Sequence, residues 1–282
     1  MANAVDLVWD LTSERLTVGG ALVLRQEGEM LAQLQGRAGI AVHLACKESD
    51  RSAAERLAQT IFGVSIFPFH LVHSTVAVDG WPQALVRSQS DFSYFSFLRV
   101  IALYTESGLR PRLLWCKLQE DLARQMRQGF PGRLICVHLR SVAPFSPEES
   151  NADGPTWNAF FGRHANAGVC DFLLIGDDPL PPGLDLRPGV SRAIDHQLSL
   201  ASQLALIGVS DGFLGMASGL CTAANFSETP YIIFKHPIHH AAEMARELGT
   251  SNSFPFAGDS QQLWRCEANA FALDEAFHLM SS

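Results

Sequence analysis

Short apolar segments alternate with longer helical patterns along this chain, and the alternation restricts the fold more than any other feature. In the first half, apolar segments at 4–11 and 39–46 precede helical patterns at 21–36 and 49–63. The alternation resumes in the second half with an apolar segment at 133–140. Strands that alternate with helices of about 10 to 15 residues are typical of βαβ units and a parallel sheet. The sequence therefore predicts an α/β fold with mainly parallel sheets.

The alternation is interrupted at Phe130-Pro131-Gly132, where proline and glycine end one helical pattern before the next strand begins. We therefore predict two Rossmann-like domains that face a cleft, an N-terminal domain over 1–130 and a C-terminal domain over 131–271. The last helical pattern, over about 272–282, is predicted to pack back on the first domain. Ligands of such sheets bind beyond the carboxyl ends of the strands.

The composition indicates a globular protein without a nucleic-acid partner. Hydrophobic residues make up 47% and charged residues 18% of the 282 residues. The net charge of −8 argues against nucleic-acid binding, because that binding needs a basic surface. No apolar segment approaches the roughly 20 residues of a membrane-spanning helix, and the N-terminus lacks the pattern of a signal peptide. We therefore expect a cytoplasmic protein without a transmembrane segment.

The cysteines and histidines do not form a recognisable metal motif. None of the six cysteines belongs to a C-x-x-C pair, so we expect buried thiols and no zinc site. His236, His239 and His240 cluster after the strand pattern at 231–235, but no matching carboxylate pattern accompanies them. We predict no metal. Lys235 and His236 instead lie at a carboxyl end, where they are candidates for ligand binding.

The segment Val137-His138-Leu139-Arg140 ends a strand pattern. Because side chains alternate between the two faces of a strand, His138 and Arg140 point to the same side. An arginine at a carboxyl end can donate two parallel hydrogen bonds to phosphate oxygens. The segment therefore predicts either a phosphate contact by Arg140 or an ordinary ion pair between Arg140 and a carboxylate.

Two adjacent carboxylates, Asp177 and Asp178, follow the apolar segment that ends at Ile175. Gly176 lies between this segment and the carboxylates and allows the chain to turn sharply. Carboxylates in this position accept hydrogen bonds from ribose or sugar hydroxyls, or orient a nearby arginine. The alternatives are that they cap the loop backbone or bind a metal. No Asp-x-Asp triplet occurs in the chain, which weakens the metal alternative.

A third element is the segment 210–235, in which a strand pattern at 212–216 leads through Ser218-Gly219 to a helical pattern. A turn of small residues lets a ligand approach the backbone, and the N-terminus of a helix offers free N–H groups to a phosphate. The glycines match neither a P-loop nor a dinucleotide fingerprint. The segment predicts a diphosphate site at Ser218 and Gly219, or else a plain structural turn.

In this order, the three elements resemble the C-terminal half of GT-B-fold glycosyltransferases, and more narrowly the fucosyltransferase-like branch. That branch carries His-x-Arg on one strand, acidic residues after a later strand, and a Ser/Gly turn that opens a helix. The matching residues here are His138-Leu139-Arg140, Asp177-Asp178 and Ser218-Gly219, so the resemblance covers about 133–235. It implies that Arg140 contacts the diphosphate of a nucleotide.

The resemblance also implies that the N-terminal half binds the acceptor. GT-B enzymes commonly place a Gly-rich loop after the first strand, and Gly19 and Gly20 are the matching residues here. Arg25 and Glu27 lie in the helical pattern that follows, where Arg25 is a candidate for substrate binding and Glu27 for the general base toward an acceptor hydroxyl. The alternative for Glu27 is a solvated helix residue.

The function that the resemblance implies is glycosyl transfer from a nucleoside-diphosphate sugar, with a GDP-linked donor as one option, to a hydroxyl of a glycan or small molecule. Arg140 and oriented N–H groups would stabilise the leaving group, so no metal or other cofactor is expected. Transfer would be a single inverting displacement, with Glu27 or His138 as the catalytic residue. The alternatives are a nucleotide-sugar epimerase or hydrolase on the same fold, and a non-catalytic nucleotide-binding or scaffold protein.

Overall fold

The computed structural model describes residues 3–73, 86–87, 96–142 and 151–280, with 86–87 described by their backbone alone. The chain divides into two compact units, unit 1 over Met1–Lys117 and unit 2 over Leu118–Ser282. The division therefore precedes the break at Phe130-Pro131-Gly132. Arg127, which the sequence analysis assigned to the first domain, donates hydrogen bonds to the carbonyl oxygens of Phe130 and Gly132 and pairs with Asp211 at 2.5 Å. These contacts tie the helix before the break to unit 2.

Unit 1 is built on a four-stranded sheet in which every recorded pair of strands is parallel. Its described elements are β1 (Ala4–Asp10), α1 (Val18–Gln35), β2 (Gly39–Ala45), α2 (Glu48–Phe62), β3 (Phe69–His73), β4 (Val86–Arg87) and α3 (Leu98–Ser107). The strand order is β3-β2-β1-β4. Before β3, the amide of Phe67 donates to the Ser65 hydroxyl in a turn, and the strand begins only after Pro68.

Unit 2 contains a six-stranded, fully parallel sheet, so the predicted α/β class is confirmed. Its described elements are α4 (Lys117–Gln128), β5 (Arg133–His138), α5 (Gly154–His164), β6 (Cys170–Leu174), β7 (Val190–Arg192), α6 (Leu200–Ile207), β8 (Gly212–Met216), α7 (Cys221–Asn225), β9 (Tyr231–Phe234), α8 (Ala241–Leu248), β10 (Gln261–Trp264) and α9 (Ala270–Leu279). The strand order is β10-β9-β8-β5-β6-β7, and β10 was missed by the sequence analysis.

The core of unit 2 is rich in aromatic side chains from α5. Trp157, Phe160 and Phe161 are fully buried and pack with Phe172 of β6. A sheet that is parallel throughout needs cover on both faces, and α5 supplies part of that cover. The terminal helix α9 packs on α5, where Asp274 pairs with Arg163 and His164. The sequence analysis had placed this helix on the first domain, whereas these contacts all lie within unit 2.

Candidate functional site

The strand order of unit 2 reverses next to β5, and this reversal locates the candidate site. The chain runs from β5 outward to β6 and β7, and then returns to the opposite side of β5 to form β8. In open parallel sheets, ligands bind outside the carboxyl ends of the strands at such a reversal. The residues that follow β5 and β8 are therefore the first candidates for ligand contacts.

Arg140 and the turn after β8 meet at this reversal. Arg140 lies two residues beyond the end of β5, is half-buried, and directs Nη1 to within 3.5 Å of the carbonyl oxygen of Ala217. Ala217 is followed by Ser218 and Gly219. The structure thus brings together two of the three elements that the sequence analysis selected, although Arg140 and Ser218 are 78 positions apart in the sequence.

The turn at Ser218 is closed by its own side chain. The Ser218 hydroxyl accepts the N–H of Leu220 at 3.2 Å, and the Cys221 thiol donates to the carbonyl oxygen of Met216 at 2.9 Å. Strand, turn and helix follow in the predicted order, but α7 has only five residues. A helix this short adds little dipole, so a phosphate at this turn would depend on local N–H groups, of which that of Leu220 is already donated to Ser218.

His138, predicted as a catalytic residue, is buried inside the sheet edge with 2% of its surface exposed. Its Nδ1 lies 3.1 Å from the carbonyl oxygen of Ile175, and because a carbonyl can only accept, Nδ1–H is the donor. Burial lowers the pKa of His138, and the hydrogen bond to Ile175 only partly opposes this. His138 is therefore a neutral positioning residue between two strand ends, and the structure does not support a catalytic role for it.

The acidic turn, residues 176–178, follows the Ile175 carbonyl that His138 binds, and it is held by Gln203, which was not predicted. Gly176 has a φ of +100°, and its N–H donates to Oε1 of Gln203 at 2.7 Å. Gln203 is buried on α6, where a polar residue within an apolar helix pattern was the available signal. Asp177 is exposed and Asp178 is half-buried at the end of this turn. The predicted acidic element, Asp177-Asp178, therefore lies beside His138 on the β6 side of the reversal.

Lys235, which follows β9, is already paired. Its Nζ lies 2.7 Å from Oε1 of Glu243 on α8, and both side chains are largely buried. The next residue, His236, has an Nδ1 that accepts the backbone N–H groups of Ile238 and His239. Nδ1 of His236 is therefore used inside the turn, and Nε2 is the ring nitrogen that faces Glu267, at 3.6 Å.

A cavity of about 450 Å³ lies beyond the ends of β8, β9 and β10. It is called the polar cavity below. Three separate segments of unit 2 supply most of its lining, at 151–156, 236–240 and 266–269. The lining residues are Asn151, Ala152, Asp153, Thr156, Met216, Ala217, Phe234, His236, His240, Cys266, Glu267, Ala268 and Asn269. Its volume is within the range of small-molecule sites.

In unit 1 the structure corrects the prediction for Arg25. The side chain is fully buried, with Nε 2.7 Å from Oε1 of Glu29 and with Nη1 donating to the carbonyl oxygen of Ile61. The guanidinium also lies over the ring of Trp115, 4.4 Å from its centroid. These contacts fix Arg25 within the core of unit 1, so the structure does not support a substrate-binding role for it.

Glu27, Gly19 and Gly20 are likewise not in the expected setting. Glu27 is fully buried and lies 3.2 Å from Nε of Arg99, so it is not the exposed general base that was predicted. Gly19 and Gly20 belong to the first turn of α1 rather than to a loop, because Thr17 caps the helix by accepting the N–H of Gly20. A Cβ atom on Gly20 would lie 2.8 Å from Oε1 of Glu14, so a larger residue there would displace the end of the Glu14 side chain.

The carboxylate that lies at the carboxyl end of a central strand in unit 1 is Asp10, the last residue of β1. Its Oδ1 accepts the N–H and hydroxyl of Thr12, and its Oδ2 accepts the hydroxyl of Ser13. β1 separates β2 from β4, so the strand order of unit 1 also reverses next to it. The sequence analysis passed over Asp10 because it read as part of the strand.

Within the described residues, no group of histidine, cysteine and acidic side chains is arranged to hold a metal ion. Across the same ranges, no helix is long and apolar enough to cross a membrane. All six cysteines are free thiols, of which Cys136, Cys170 and Cys221 are buried.

Comparison with known proteins identifies the fold as that of GT-B glycosyltransferases. A glycosyltransferase of family 9 from Veillonella parvula matches with a TM-score of 0.55 at 11% identity, over 94% of this chain and 86% of that chain. The ADP-heptose lipopolysaccharide heptosyltransferase II of E. coli matches with a TM-score of 0.55 at 12% identity, over 98% of both chains.

A third structure, the E. coli heptosyltransferase WaaC with ADP, matches with a TM-score of 0.55 at 11% identity, over 98% of this chain and 99% of that chain. No protein-family profile matches the sequence. No curated protein matches it with significance. The likeness at this identity is one of fold, and the names of these neighbours lend no support to the fucosyltransferase-like branch.

Proposed function

We propose that this protein is a glycosyltransferase that takes a sugar from a nucleoside-diphosphate sugar. The observation that carries the proposal is the contact between Arg140 and Ala217 at the strand reversal of unit 2. It puts a guanidinium beside the N–H groups of Ser218 and Gly219 at the edge where parallel sheets bind ligands. The fold shared with glycosyltransferases supports the same reading.

In the proposed reaction an acceptor hydroxyl attacks C1 of the donor sugar in a single displacement, which inverts that carbon. The bond from C1 to the diphosphate breaks, and the leaving group gains negative charge. Arg140 and the local N–H groups stabilise this charge, a task that fixed donors perform without reorganisation. The proposal therefore assigns no step to a divalent metal.

The general base in this proposal is Asp10 instead of Glu27 or His138. Its three donors, from Thr12 and Ser13, hold the carboxylate in one orientation at the end of β1. A positioned carboxylate can take the proton from the acceptor hydroxyl as the new bond forms. Asp10 is itself largely buried, but it ends a central strand, whereas Glu27 pairs with Arg99 and Nδ1 of His138 is used on the carbonyl oxygen of Ile175.

For the donor, we propose an ADP-linked sugar in preference to a GDP-linked one. The support is that one structural neighbour is described with ADP and another as an ADP-heptose transferase. The exposed carboxylate of Asp177 and the half-buried one of Asp178 suit the ribose hydroxyls that either nucleotide presents.

The test is the melting temperature of the protein with ADP or GDP. A nucleotide at about 100 times its Kd stabilises the native state by about 2.7 kcal/mol. For a unit of this size that is a rise of about 5 to 10 °C. Arg140→Ala is expected to weaken ADP binding by about 10- to 100-fold, because it removes charge-assisted hydrogen bonds to the diphosphate.

Arg124→Ala is the matched control, since Arg124 is exposed on α4 and the substitution changes the net charge equally. It should leave ADP binding unchanged. If neither nucleotide raises the melting temperature of the folded protein, the transferase proposal is wrong and a scaffold function takes its place. Equal losses of ADP affinity in Arg140→Ala and Arg124→Ala would mean that Arg140 acts only through net charge.

A further inference from the structure

The polar cavity adjoins the proposed diphosphate position directly. Ala217 both lines the cavity and offers its carbonyl oxygen to Arg140. A donor whose diphosphate contacts Arg140 would therefore extend one of its two ends into this cavity. The question is whether that end is the nucleoside or the sugar.

Among the described residues that line the polar cavity there is no arginine or lysine, and there are two carboxylates, Asp153 and Glu267. Nδ1 of His236 is occupied, since it accepts two backbone N–H groups. The pKa of His240 is lowered to about 4, by burial first and then by the charge of Lys235, while Glu243 opposes the shift. The described lining supplies no cationic side chain to a phosphate, so the phosphate contacts fall to Arg140 at the edge of the cavity.

The hydrogen-bonding groups of the cavity suit hydroxyls. Asp153 and Asn269 each use one side-chain oxygen to cap a helix and carry a second polar atom. Glu267 is exposed and lies 3.6 Å from Nε2 of His236, which presents a donor beside an acceptor. Phe234 and Met216 supply apolar surface. Adjacent acceptors, a donor and an apolar wall match a ring that carries several hydroxyl groups.

The opposite side of the strand reversal offers a different environment. There the acidic turn presents Asp177 and Asp178, and the hollow beside it measures only about 20 Å³. An open surface with carboxylates suits a ribose that lies along it, whereas the polar cavity, at about 450 Å³, has room to enclose a ring.

We propose that the polar cavity binds the glycosyl group of the donor, an uncharged polyhydroxyl ring, and that the nucleoside lies toward the acidic turn. This inference rests on the proposed function for its donor, but its site is separate from Arg140. Glu267, His236 and Asn269 contact the sugar hydroxyls, and Ala268 sets the width of the cavity. These residues then determine which sugar is accepted.

Ala268→Leu tests the assignment, because it adds three carbon atoms inside the cavity from a loop position that is only half-buried. The affinities to measure are those for ADP, ADP-glucose and GDP-mannose, and for free glucose and mannose by saturation-transfer NMR. The variant should bind ADP within about twofold of the wild type. It should lose about tenfold or more in affinity for a nucleotide sugar that the wild type binds.

Ala270→Leu is the matched control, since Ala270 is exposed two positions further on and does not line the cavity. An equal loss of ADP and nucleotide sugar in Ala268→Leu would overturn the assignment, because the nucleotide itself would then occupy the cavity. Unchanged sugar-nucleotide affinity would also overturn it. If the wild type binds no nucleotide, the proposed function fails, and the cavity assignment is tested with free monosaccharide. Monosaccharide binding that Ala268→Leu abolishes and Arg140→Ala leaves unchanged supports the assignment. Absence of monosaccharide binding overturns it.

Discussion

Glu29→Gln is expected to destabilise unit 1 by about 3 to 5 kcal/mol, because it leaves the Arg25 guanidinium buried without its counter-charge. In the native state Oε1 of Glu29 accepts from Arg25 and from the Ser65 hydroxyl, and Oε2 accepts the N–H of Leu114. An amide of the same shape turns one of these oxygens into a donor that faces another donor. Urea unfolding followed by tryptophan fluorescence measures the loss.

The control for Glu29 is a carboxylate in an exposed ion pair. Glu48 lies 2.6 Å from Arg51, but its side chain is 78% exposed. Glu48→Gln should therefore change the free energy of unfolding by less than about 1 kcal/mol. Similar losses for the two variants would contradict the view that Arg25 and Glu29 form a structural core pair, and would reopen Arg25 as a ligand-binding residue.

Gly154→Ala is expected to lower the free energy of unfolding by about 3 kcal/mol, which is the upper end of the usual range for overpacking. Gly154 is the first residue of α5, and a Cβ atom there would clash with the carbonyl oxygen of Pro182, a backbone atom that cannot rotate away. The helix would have to move from the turn at 181–184. For a unit of this size the melting temperature should fall by about 6 to 12 °C. Differential scanning calorimetry measures this fall.

Gly208→Ala is the matched control for Gly154→Ala. Gly208 caps α6 with φ of −68° and ψ of −10°, which alanine adopts freely. A Cβ atom there would lie 3.4 Å from the carbonyl oxygen of Ala205, close to ordinary contact. Its melting temperature should change little. A Gly154→Ala protein as stable as Gly208→Ala would show that α5 and the turn at 181–184 are not packed as described.

The sequence predicts the fold well where the period of apolar residues is clear. The apolar segments at 39–46 and 133–140 and the helical pattern at 49–63 appear within a few residues of their predicted bounds as β2, β5 and α2. β10 was missed because Gln261-Gln262-Leu263-Trp264 is short and half polar, and only its pairing with β9 makes it a strand.

Burial was predicted less well than secondary structure. In α1, Arg25 was predicted to bind substrate and Glu27 to be a general base or a solvated residue, yet both are fully buried. Arg25 is enclosed by groups far away in sequence, the carbonyl oxygens of Ile61 and Leu114 and the ring of Trp115. No local pattern reveals such long-range partners, so the burial of Arg25 was not predicted.

The candidate site divides in the same way. Arg140, Asp177 and Ser218 were predicted from strand ends, because the chemistry of each is visible in one short segment. The polar cavity was not predicted, since its lining comes from three segments that the fold brings together. Of these, only the histidines at 236–240 attracted attention in the sequence. The segment 266–269 follows β10, so missing that strand also hid this wall of the cavity.

The measurement that tests the central claim most directly is hydrogen–deuterium exchange of the protein with and without saturating ADP. We predict that ADP slows exchange at the backbone N–H groups of 139–142 and 217–220, where Arg140 meets the turn. The exchange rates of α4 should stay unchanged. Protection confined to unit 1, or no protection anywhere, would contradict a nucleoside-diphosphate site at the strand reversal of unit 2.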